Sequence, residues 1–453
     1  MMERRMETID ESGFLMRSKN GEQRERLLQL VRDIRRLSVF ANIKRHPVIR
    51  ALLSDSGAAF VEALVNAGGC FAGLLAGLAL YDDNPFTRAV AGTRDNADVP
   101  EALAALAKDE LSALSRIACL DFSLFARTGE MPEAARFLFR SPGGSGPNAV
   151  FPPGEDWGKR IDDYTAFLRK NGCGVFAKHH AFVWDGAAFR AAAHPDPVTL
   201  SDLTLFEDQR QVVVSNTKRF LEGRAANNIL LYGDRGTGKS ATVKAVANTF
   251  AKNGLRIVEV SKAHLASLPE ITARLQNQPL KCILFIDDLS FEAQGDSFTH
   301  LKGLLEGGVE ARPSNIVVYA TSNRRHLVKE KFADRPAGGG IATGSEADVR
   351  AFDTMQEQLS LSDRFGVTVV FTAPDQDSFL KIARFIAEER GLLSPLTASD
   401  AELQTFRDNA LRWERWFNGR SPRTARQFVD WLEGGEEFPW GPTGAFLGSG
   451  VTE

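Results

Sequence analysis

The sequence predicts an α/β fold in which a parallel sheet is covered by helices on both faces. First, apolar strand-like segments between residues 228 and 371 alternate with helical patterns, which is typical of parallel strands joined by crossover helices. Second, these strands are apolar almost throughout, as expected of a sheet that is buried on both faces. Third, the glycine-rich segment 233–240 lies between the first of these strands and a helix, which is the context of a phosphate-binding loop.

The segment 233–240 matches the pattern Gly-x-x-x-x-Gly-Lys-Ser in full. Its glycines allow the tight turn that directs backbone N–H groups at phosphate oxygens. Its lysine is long enough to reach the β- and γ-phosphates of a nucleotide, its serine hydroxyl can bind Mg²⁺, and the helix that follows adds the positive end of its dipole. We therefore predict a phosphate site formed by Gly233, Asp234, Arg235, Gly236, Thr237, Gly238, Lys239, Ser240 and Ala241.

A second motif lies at the end of the third predicted strand, where an apolar run from Cys282 is followed by Asp287 and Asp288. In a parallel sheet this strand end opens beside the phosphate loop, so we predict that Asp287 holds Mg²⁺ together with Ser240. Asp288 is then placed to polarise an attacking water molecule. The alternative is a plain Asp-Asp turn after a strand, which a complete phosphate loop upstream makes the weaker interpretation.

The periodicity divides the chain into five parts. Residues 1–174 are predicted to form a mainly helical domain of unknown role, and residues 175–199 a β-hairpin (strands 175–184 and 187–193) with a linker. The nucleotide-binding domain spans 200–373, a helical lid 374–433 and an irregular tail 434–453. The predicted sheet has five parallel strands, at 228–232, 255–260, 282–286, 316–320 and 367–371, and the predicted lid helices are 376–389, 399–417 and 422–432.

The composition is that of a globular protein, with 43% hydrophobic and 25% charged residues among 453 and a formal net charge of −3. This balance argues against a basic nucleic-acid-binding footprint over the whole chain. The four cysteines lie far apart, which favours reduced thiols in a cytoplasmic protein over disulfides or a zinc site. The apolar stretch 63–81 is rich in small residues, which predicts a buried helix pair broken near Gly68-Gly69 and no stable membrane insertion.

With these motifs in place, the chain resembles the AAA+ ATPases, and more closely the bacterial ATP-binding proteins of the DUF815 group. The resemblance covers about residues 175–433, over half of the chain. It implies an AAA+ αβα sandwich with a helical lid, and it implies ATP and Mg²⁺ as cofactors. The segments that carry it are residues 202–209, 231–240, 285–292, 301–310, 319–327, 359–366 and 421–427.

The resemblance also implies roles for residues outside the two motifs. Asn323 matches the sensor 1 amide that orients the attacking water, and Arg364 matches an arginine finger that acts on the ATP of a neighbouring subunit. Arg423 matches sensor 2 in the lid, with Arg426 one turn later as the rival candidate, and Phe206 matches an apolar wall of the adenine site. Other interpretations stay open: Asn323 as a turn residue after a strand, Arg364 as a surface or structural arginine, and Phe206 as an ordinary core residue.

Two positions depart from the AAA+ pattern. Most members have Glu where this chain has Asp288; the shorter side chain weakens the expectation of fast hydrolysis, and Glu292 is a possible substitute. Thr204 stands where the DUF815 group usually has Gly. In the lid, the helical spacing of Trp413, Trp416 and Phe417 favours a packed core over a surface that stacks nucleic-acid bases beside arginines.

The resemblance implies an ATPase that hydrolyses ATP at the subunit interfaces of a homo-oligomer, in a ring or an open assembly. Its role would be to remodel or load an unidentified protein or nucleic-acid client. The first alternative is a low-turnover, nucleotide-dependent switch or loader. A small-molecule kinase is a weaker alternative, because phosphoryl transfer to a small acceptor does not need Asn323, Arg364 and Arg423 at these sites. A DNA-handling factor is a third possibility, which salt-dependent binding to DNA would distinguish.

Overall fold

The computed structural model describes residues 21–54, 57–68, 70–92, 99–119, 147–276, 278–289, 296–306, 313–323, 364–394, 398–417, 419–435 and 438. The chain divides into two compact units. The first comprises Met1–His179 with Asn277–Leu280, and the second comprises His180–Gln276 with Lys281–Glu453. The predicted loop at 331–350 and nearly all of the predicted tail lie outside the described residues.

The first unit is helical throughout its described part. Its apolar side chains form one core, in which Phe40, Phe71, Phe151 and Tyr164 are fully buried. A buried carboxylate fixes the chain after the first helix, because Glu110 accepts hydrogen bonds from the backbone N–H groups of three successive residues, 38–40. The helices are α1 (Gly21–Arg36), α2 (Pro47–Leu53), α3 (Gly57–Asn66), α4 (Phe71–Leu80), α5 (Pro85–Gly92), α6 (Glu101–Ala118), α7 (Pro147–Val150), α8 (Ile161–Asn171) and α9 (Val175–Lys178).

The apolar stretch 63–81 forms the predicted helix pair, which is α3 and α4. Phe60 and Leu64 of α3 and Leu75 of α4 lie in the core of the first unit. Within the described residues, no single helix has the length and apolarity to cross a membrane. Only the pair Ala59–Asn66 and Phe71–Leu80 meets those criteria together, and it is bent by 66°.

The second unit is built on one sheet of seven strands. These are β1 (Ala181–Trp184), β2 (Phe189–Ala191), β3 (Ile229–Gly233), β4 (Leu255–Glu259), β5 (Lys281–Ile286), β6 (Ile316–Asn323) and β7 (Val367–Phe371), in the spatial order β2-β1-β4-β5-β6-β3-β7. The five strands β4-β5-β6-β3-β7 are parallel, as predicted. The side chains of β3, β5 and β6 are buried almost without interruption because helices cover both faces, whereas the edge strand β7 alternates between exposed and buried positions.

The strand count and the hairpin differ from the prediction. The hairpin β1-β2 is antiparallel, but β1 also pairs in parallel with β4, so the sheet has seven strands instead of five. The segment Val175–Lys178 was predicted to begin the first hairpin strand and instead forms the helical turn α9. The hairpin prediction rests on the Asp185-Gly186 turn, which does not fix where the first strand begins. Gly174, at φ 60°, is the N-cap of a helical turn of four residues there.

Helices α10 (Glu207–Leu221), α11 (Lys239–Phe250), α12 (Leu268–Leu275) and α13 (Asp296–Glu306) accompany the sheet, and short 3₁₀ segments include Leu200–Asp202 and Lys262–Ser267. The lid consists of α14 (Gln376–Glu389), α15 (Asp400–Trp416) and α16 (Pro422–Glu433), close to the predicted bounds. Side-chain caps at Asp375, Ser399 and Ser421 fix where these three helices begin, because each accepts a backbone N–H from the first turn.

The lid has its own apolar core, to which Trp413 belongs and against which Phe417 packs. Trp416 was expected to join them, but 63% of its surface is exposed. Each residue turns the helix by about 100°, so Trp416 and Phe417 lie on opposite sides of Trp413 around the axis of α15, about 60° away in one direction and about 40° in the other. The prediction of a packed lid core therefore holds for two of the three aromatic residues.

Candidate nucleotide-binding site

The phosphate loop connects β3 to α11 as the sequence predicted, and its glycines occupy backbone conformations that other residues avoid. Gly233 has φ 142° and Gly238 has φ 90°. A Cβ atom at Gly233 would collide with the backbone carbonyl of Phe371 on the neighbouring strand β7. The loop therefore needs glycine for two separate reasons, close strand packing at Gly233 and a left-handed turn at Gly238.

Lys239 is buried at the first position of α11, and its ammonium group faces the loop. Its Nζ donates to the carbonyl oxygens of Gly233 (2.9 Å) and Asp234 (2.7 Å). Burial lowers the pKa of Lys239 to about 8, although the nearby carboxylates Asp234, Asp287 and Asp288 act to raise it. Nζ also donates to Asn323 Oδ1 at 3.4 Å. A buried ammonium group held by neutral oxygens is well suited to bind an incoming phosphate, whose negative charge favours the charged form of the lysine.

Ser240 and Asp287, the two residues predicted to bind Mg²⁺, are in direct contact. The Ser240 hydroxyl donates to Asp287 Oδ1 at 2.6 Å, and the Thr321 hydroxyl donates to the same oxygen at 2.5 Å. Thr321 comes from β6, which pairs with β5 and so lies beside its end. Hydroxyl and carboxylate oxygens are the ligands that Mg²⁺ prefers, so Ser240 and Asp287 fit the metal, and Thr321 orients the carboxylate.

Asp288 is held on both of its carboxylate oxygens. Asn323 Nδ2 donates to Asp288 Oδ1 at 2.5 Å, and Lys262 Nζ lies 3.3 Å from Asp288 Oδ2. The backbone of Asp288 has φ 52°, which is uncommon outside glycine and stores strain at this position. Sequence reasoning missed Lys262, because it lies in the loop after β4 and only the order of strands brings it to the end of β5.

The lid contacts the phosphate loop through the first turn of α16. The backbone N–H of Arg423 donates to the carbonyl oxygen of Gly236 at 3.2 Å. Ser421 packs so closely that a Cβ at Gly236 would approach its Oγ at 2.9 Å. Arg423 thus lies beside the loop. The pKa of Lys239 is lowered mainly by burial, and the charge of Arg423 lowers it further. Its sensor 2 role stays a prediction.

A small cavity of about 40 Å³ lies between the loop, the lid and the segment before α10. Arg426 reaches this cavity together with Thr237 and Gly238 of the loop, and Thr204 lines its other side. Phe206, the predicted adenine wall, does not line it. Phe206 packs on Phe371 with the ring centroids 5.2 Å apart, so its contact with a base stays a prediction.

Arg364 is partly buried just before β7. The register pairs Val367 with Ile229 and Phe371 with Gly233, so Arg364 lies toward the amino-terminal edge of the sheet and the phosphate loop lies at the other edge. Four strand steps of about 3.3 Å put roughly 13 Å or more between them along β7. Glu292, the proposed substitute for Asp288, lies outside the described residues.

The chain is similar to known proteins over part of its length. The family model described as "Protein of unknown function (DUF815)" matches residues 177–436, which is more than half of the chain. The 26S proteasome regulatory subunit 6B homolog of Schizosaccharomyces pombe is 28% identical over 208 residues, which make up 39% of this chain and 51% of that protein. The chain therefore spans about half the length of the curated relative that it matches.

Solved structures of RuvB from Thermotoga maritima also align with the chain. One variant aligns with 52% of this chain and 65% of its own, at 15% identity and a TM-score of 0.34. Another, described as a Holliday junction branch migration motor, aligns over the same shares at 15% identity and a TM-score of 0.33. The family match spans the phosphate loop, the strand-end carboxylates and the lid, and because it covers more than half of the chain, the chain belongs to the DUF815 family.

Proposed function

We propose that the protein binds Mg·ATP and hydrolyses it slowly. The observation that carries this proposal is the meeting of three strand ends: Lys239 after β3, the Ser240–Asp287 contact of 2.6 Å at the end of β5, and the Asp288–Asn323 contact of 2.5 Å between β5 and β6. Ligands in open α/β sheets bind at the carboxyl ends of the strands, and here the charges and hydroxyls required by a nucleotide triphosphate converge at that edge.

Each residue has a distinct task in this proposal. Lys239 turns from its two carbonyl partners to the β- and γ-phosphates, and the loop N–H groups bind the remaining oxygens. Ser240 and Asp287 hold Mg²⁺, which neutralises charge on the phosphates when bound. Asp288 accepts the proton of the attacking water, and Asn323 orients that water. Arg423 adds positive charge from the lid.

Hydrolysis in this proposal takes place between subunits of a homo-oligomer. Arg364 lies roughly 13 Å or more from its own phosphate loop by the strand rise, so it serves a neighbour's ATP better than its own. The energy of hydrolysis would remodel or load a macromolecular client. The resemblance to AAA+ ATPases supports such a role.

A low-turnover switch is the second candidate, and one observation favours it. Asp288 is shorter than the usual glutamate, and both of its oxygens are already engaged, by Asn323 and by Lys262. These two contacts occupy the oxygens that would receive the proton of the attacking water, so one contact has to be released before Asp288 can act as the base. In the switch, ATP binding and client binding would set the state of the protein, and hydrolysis would only reset it.

Calorimetric titration of ATP with Mg²⁺ tests the nucleotide site. Lys239→Ala is expected to abolish binding, and Asp287→Ala to abolish its Mg²⁺ dependence, since each removes one of the groups assigned above. Asp288→Asn is expected to retain binding and lose phosphate release. ATP affinity that is unchanged in Lys239→Ala would rule out the phosphate-loop assignment. Wild-type turnover in Asp288→Asn would remove Asp288 as the base.

A further inference from the structure

The first unit contains a cavity that has no part in the nucleotide site. Its volume is about 800 Å³, within the range of roughly 300–1,000 Å³ that small organic ligands occupy in proteins. It lies between one face of α4, the 3₁₀ segment Ala41–Arg45 and the first residue of α7. All of its walls belong to one compact unit, so its shape is set by that unit alone.

The floor of the cavity is apolar and includes a notch. Leu74 and Leu78 of α4 and Ile43 of the 3₁₀ segment line it. Gly77, on the same face of α4, leaves the helix backbone open, because a Cβ added there would meet only Pro147, at 3.8 Å. A ligand can therefore pack flat against the helix, and a larger side chain at position 77 would project into the space without disturbing the core.

The rim of the cavity offers cations and hydrogen-bond donors. Arg45 and Lys178 are exposed, and neither forms an ion pair with another residue in the described part of the chain. His46 Nδ1 accepts the backbone N–H of Val48 at 3.4 Å, which leaves its proton on Nε2 as a donor. The acid on the lining, Asp82, is buried and already accepts hydrogen bonds from side-chain amides.

We propose that this cavity binds an amphipathic organic anion. Its apolar body lies along α4 in the notch at Gly77, and its carboxylate, phosphate or sulfonate group lies between Arg45 and Lys178. The charge pattern supports an anion, because the buried carboxylate of Asp82 is tied to amides while both exposed cations are available. Burial also lowers the pKa of His46, so the ring is a neutral donor near pH 7.

Two matched dyes test the proposal on the full-length protein. One is 8-anilinonaphthalene-1-sulfonate, and the other is N-phenyl-1-naphthylamine, which has the same apolar body without the sulfonate. Both are expected to bind saturably. Gly77→Leu is expected to abolish saturable binding of both dyes, because the new side chain fills the notch. The control is Gly303→Leu, on the exposed side of α13 in the other unit with no atom within 4 Å, and it should bind both dyes as the wild type does.

The anionic half of the proposal has its own test. Arg45→Ala combined with Lys178→Ala is expected to weaken the sulfonate dye by about fivefold or more, since two rim charges are lost. The neutral dye should bind this variant with unchanged affinity. Equal weakening of both dyes would overturn the anion assignment. No saturable binding by the wild type, or wild-type binding in Gly77→Leu, would overturn the site.

Discussion

At the scale of single residues, the site is defined by charged groups that already have partners within the protein. The buried Lys239 donates to two backbone carbonyl oxygens and to Asn323 Oδ1, and the more exposed Asp288 contacts an amide and an ammonium group. Both residues are thus kept in a geometry that suits phosphate chemistry, and for Lys239 burial lowers the pKa. This is the usual meaning of a preorganised site, in which folding and not the ligand bears the cost of orientation.

ATP binding is expected to take up a proton above about pH 8. The free enzyme's Lys239 has a pKa of about 8, lowered by burial, whereas the bound phosphates favour the charged lysine. Below the lowered pKa the lysine is already charged and affinity is constant. Above it, affinity falls by about tenfold per pH unit until the bound form also loses its proton.

Calorimetry in buffers of different ionisation enthalpy measures this proton uptake directly. Lys239→Arg is the matched control, because a guanidinium stays charged over this range and its ATP affinity should not change between pH 7.5 and 9.5. Zero uptake by the wild type at pH 9 would contradict the assignment of the lowered pKa to the phosphate-binding lysine.

Removal of the Lys262 contact is expected to speed hydrolysis. Lys262→Met frees Asp288 Oδ2. Both partners are about half exposed, so the ion pair contributes at most about 1 kcal/mol. The kcat of ATP hydrolysis should therefore rise by up to about fivefold, with KM unchanged. Lys262→Arg keeps the charge and should behave as the wild type, and Lys252→Met on the opposite part of the fold is a neutral control. A lower kcat in Lys262→Met would instead make Lys262 a support for catalysis.

At the scale of elements, the site depends on where strand ends meet. β3 lies between β6 and β7, so Gly233 touches the backbone of Phe371 while Asn323 lies across from Gly233 on the other side. The lid reaches the same place through the first turn of α16, where the backbone N–H of Arg423 donates to the carbonyl oxygen of Gly236 in the loop. Each strand or helix places only its end at the site, while the rest of the element is packed in the core. Most site residues are therefore half-buried.

The close contact of β3 with β7 predicts a difference between two glycines of the loop. Gly233→Ala is expected to lower the free energy of unfolding by on the order of 3 kcal/mol, because its Cβ collides with the backbone of β7. Gly238→Ala is the matched comparison, with a positive φ but no atom within 4 Å, and should cost only about 1–2 kcal/mol. Urea unfolding followed by circular dichroism distinguishes the two. Equal losses would show that backbone conformation alone accounts for both.

At the scale of the whole molecule, the two units carry different chemistry. The second holds the sheet, the nucleotide site and the lid, and the first holds a separate apolar core with its own cavity. None of the four cysteines forms a disulfide, and Cys173 and Cys282 are buried. Burial raises the pKa of Cys173 to about 11 and that of Cys282 to about 12. Both thiols are therefore inert core residues and not part of either site.

Assembly gives the last prediction. Arg364→Ala should retain ATP binding, because Arg364 lies away from its own phosphate loop, and should lose the rise of specific activity with protein concentration that the wild type shows. A mixture of Arg364→Ala and Lys239→Ala subunits should regain some activity, since some interfaces then join an intact pocket to an intact arginine. An inactive mixture, with ATP-independent monomers in sedimentation, would favour a monomeric switch.

The sequence by itself determined the features that depend on local pattern. The phosphate loop, the strand end at Asp287 and Asp288, the five parallel strands and the lid helices follow from glycine spacing and from apolar period, which neighbouring residues set. The helix pair in the first unit was predicted for the same reason. These patterns needed no knowledge of which strands lie side by side.

Only the tertiary structure decided which distant residues meet. Thr321 on Asp287 and Lys262 on Asp288 depend on β5 lying between β4 and β6, and no local period encodes that order. The same holds for the parallel pairing of the hairpin with β4, for the outward position of Trp416 and for the cavity beneath α4. Strand order and helix packing are set by burial of the whole core, so local sequence patterns do not predict them.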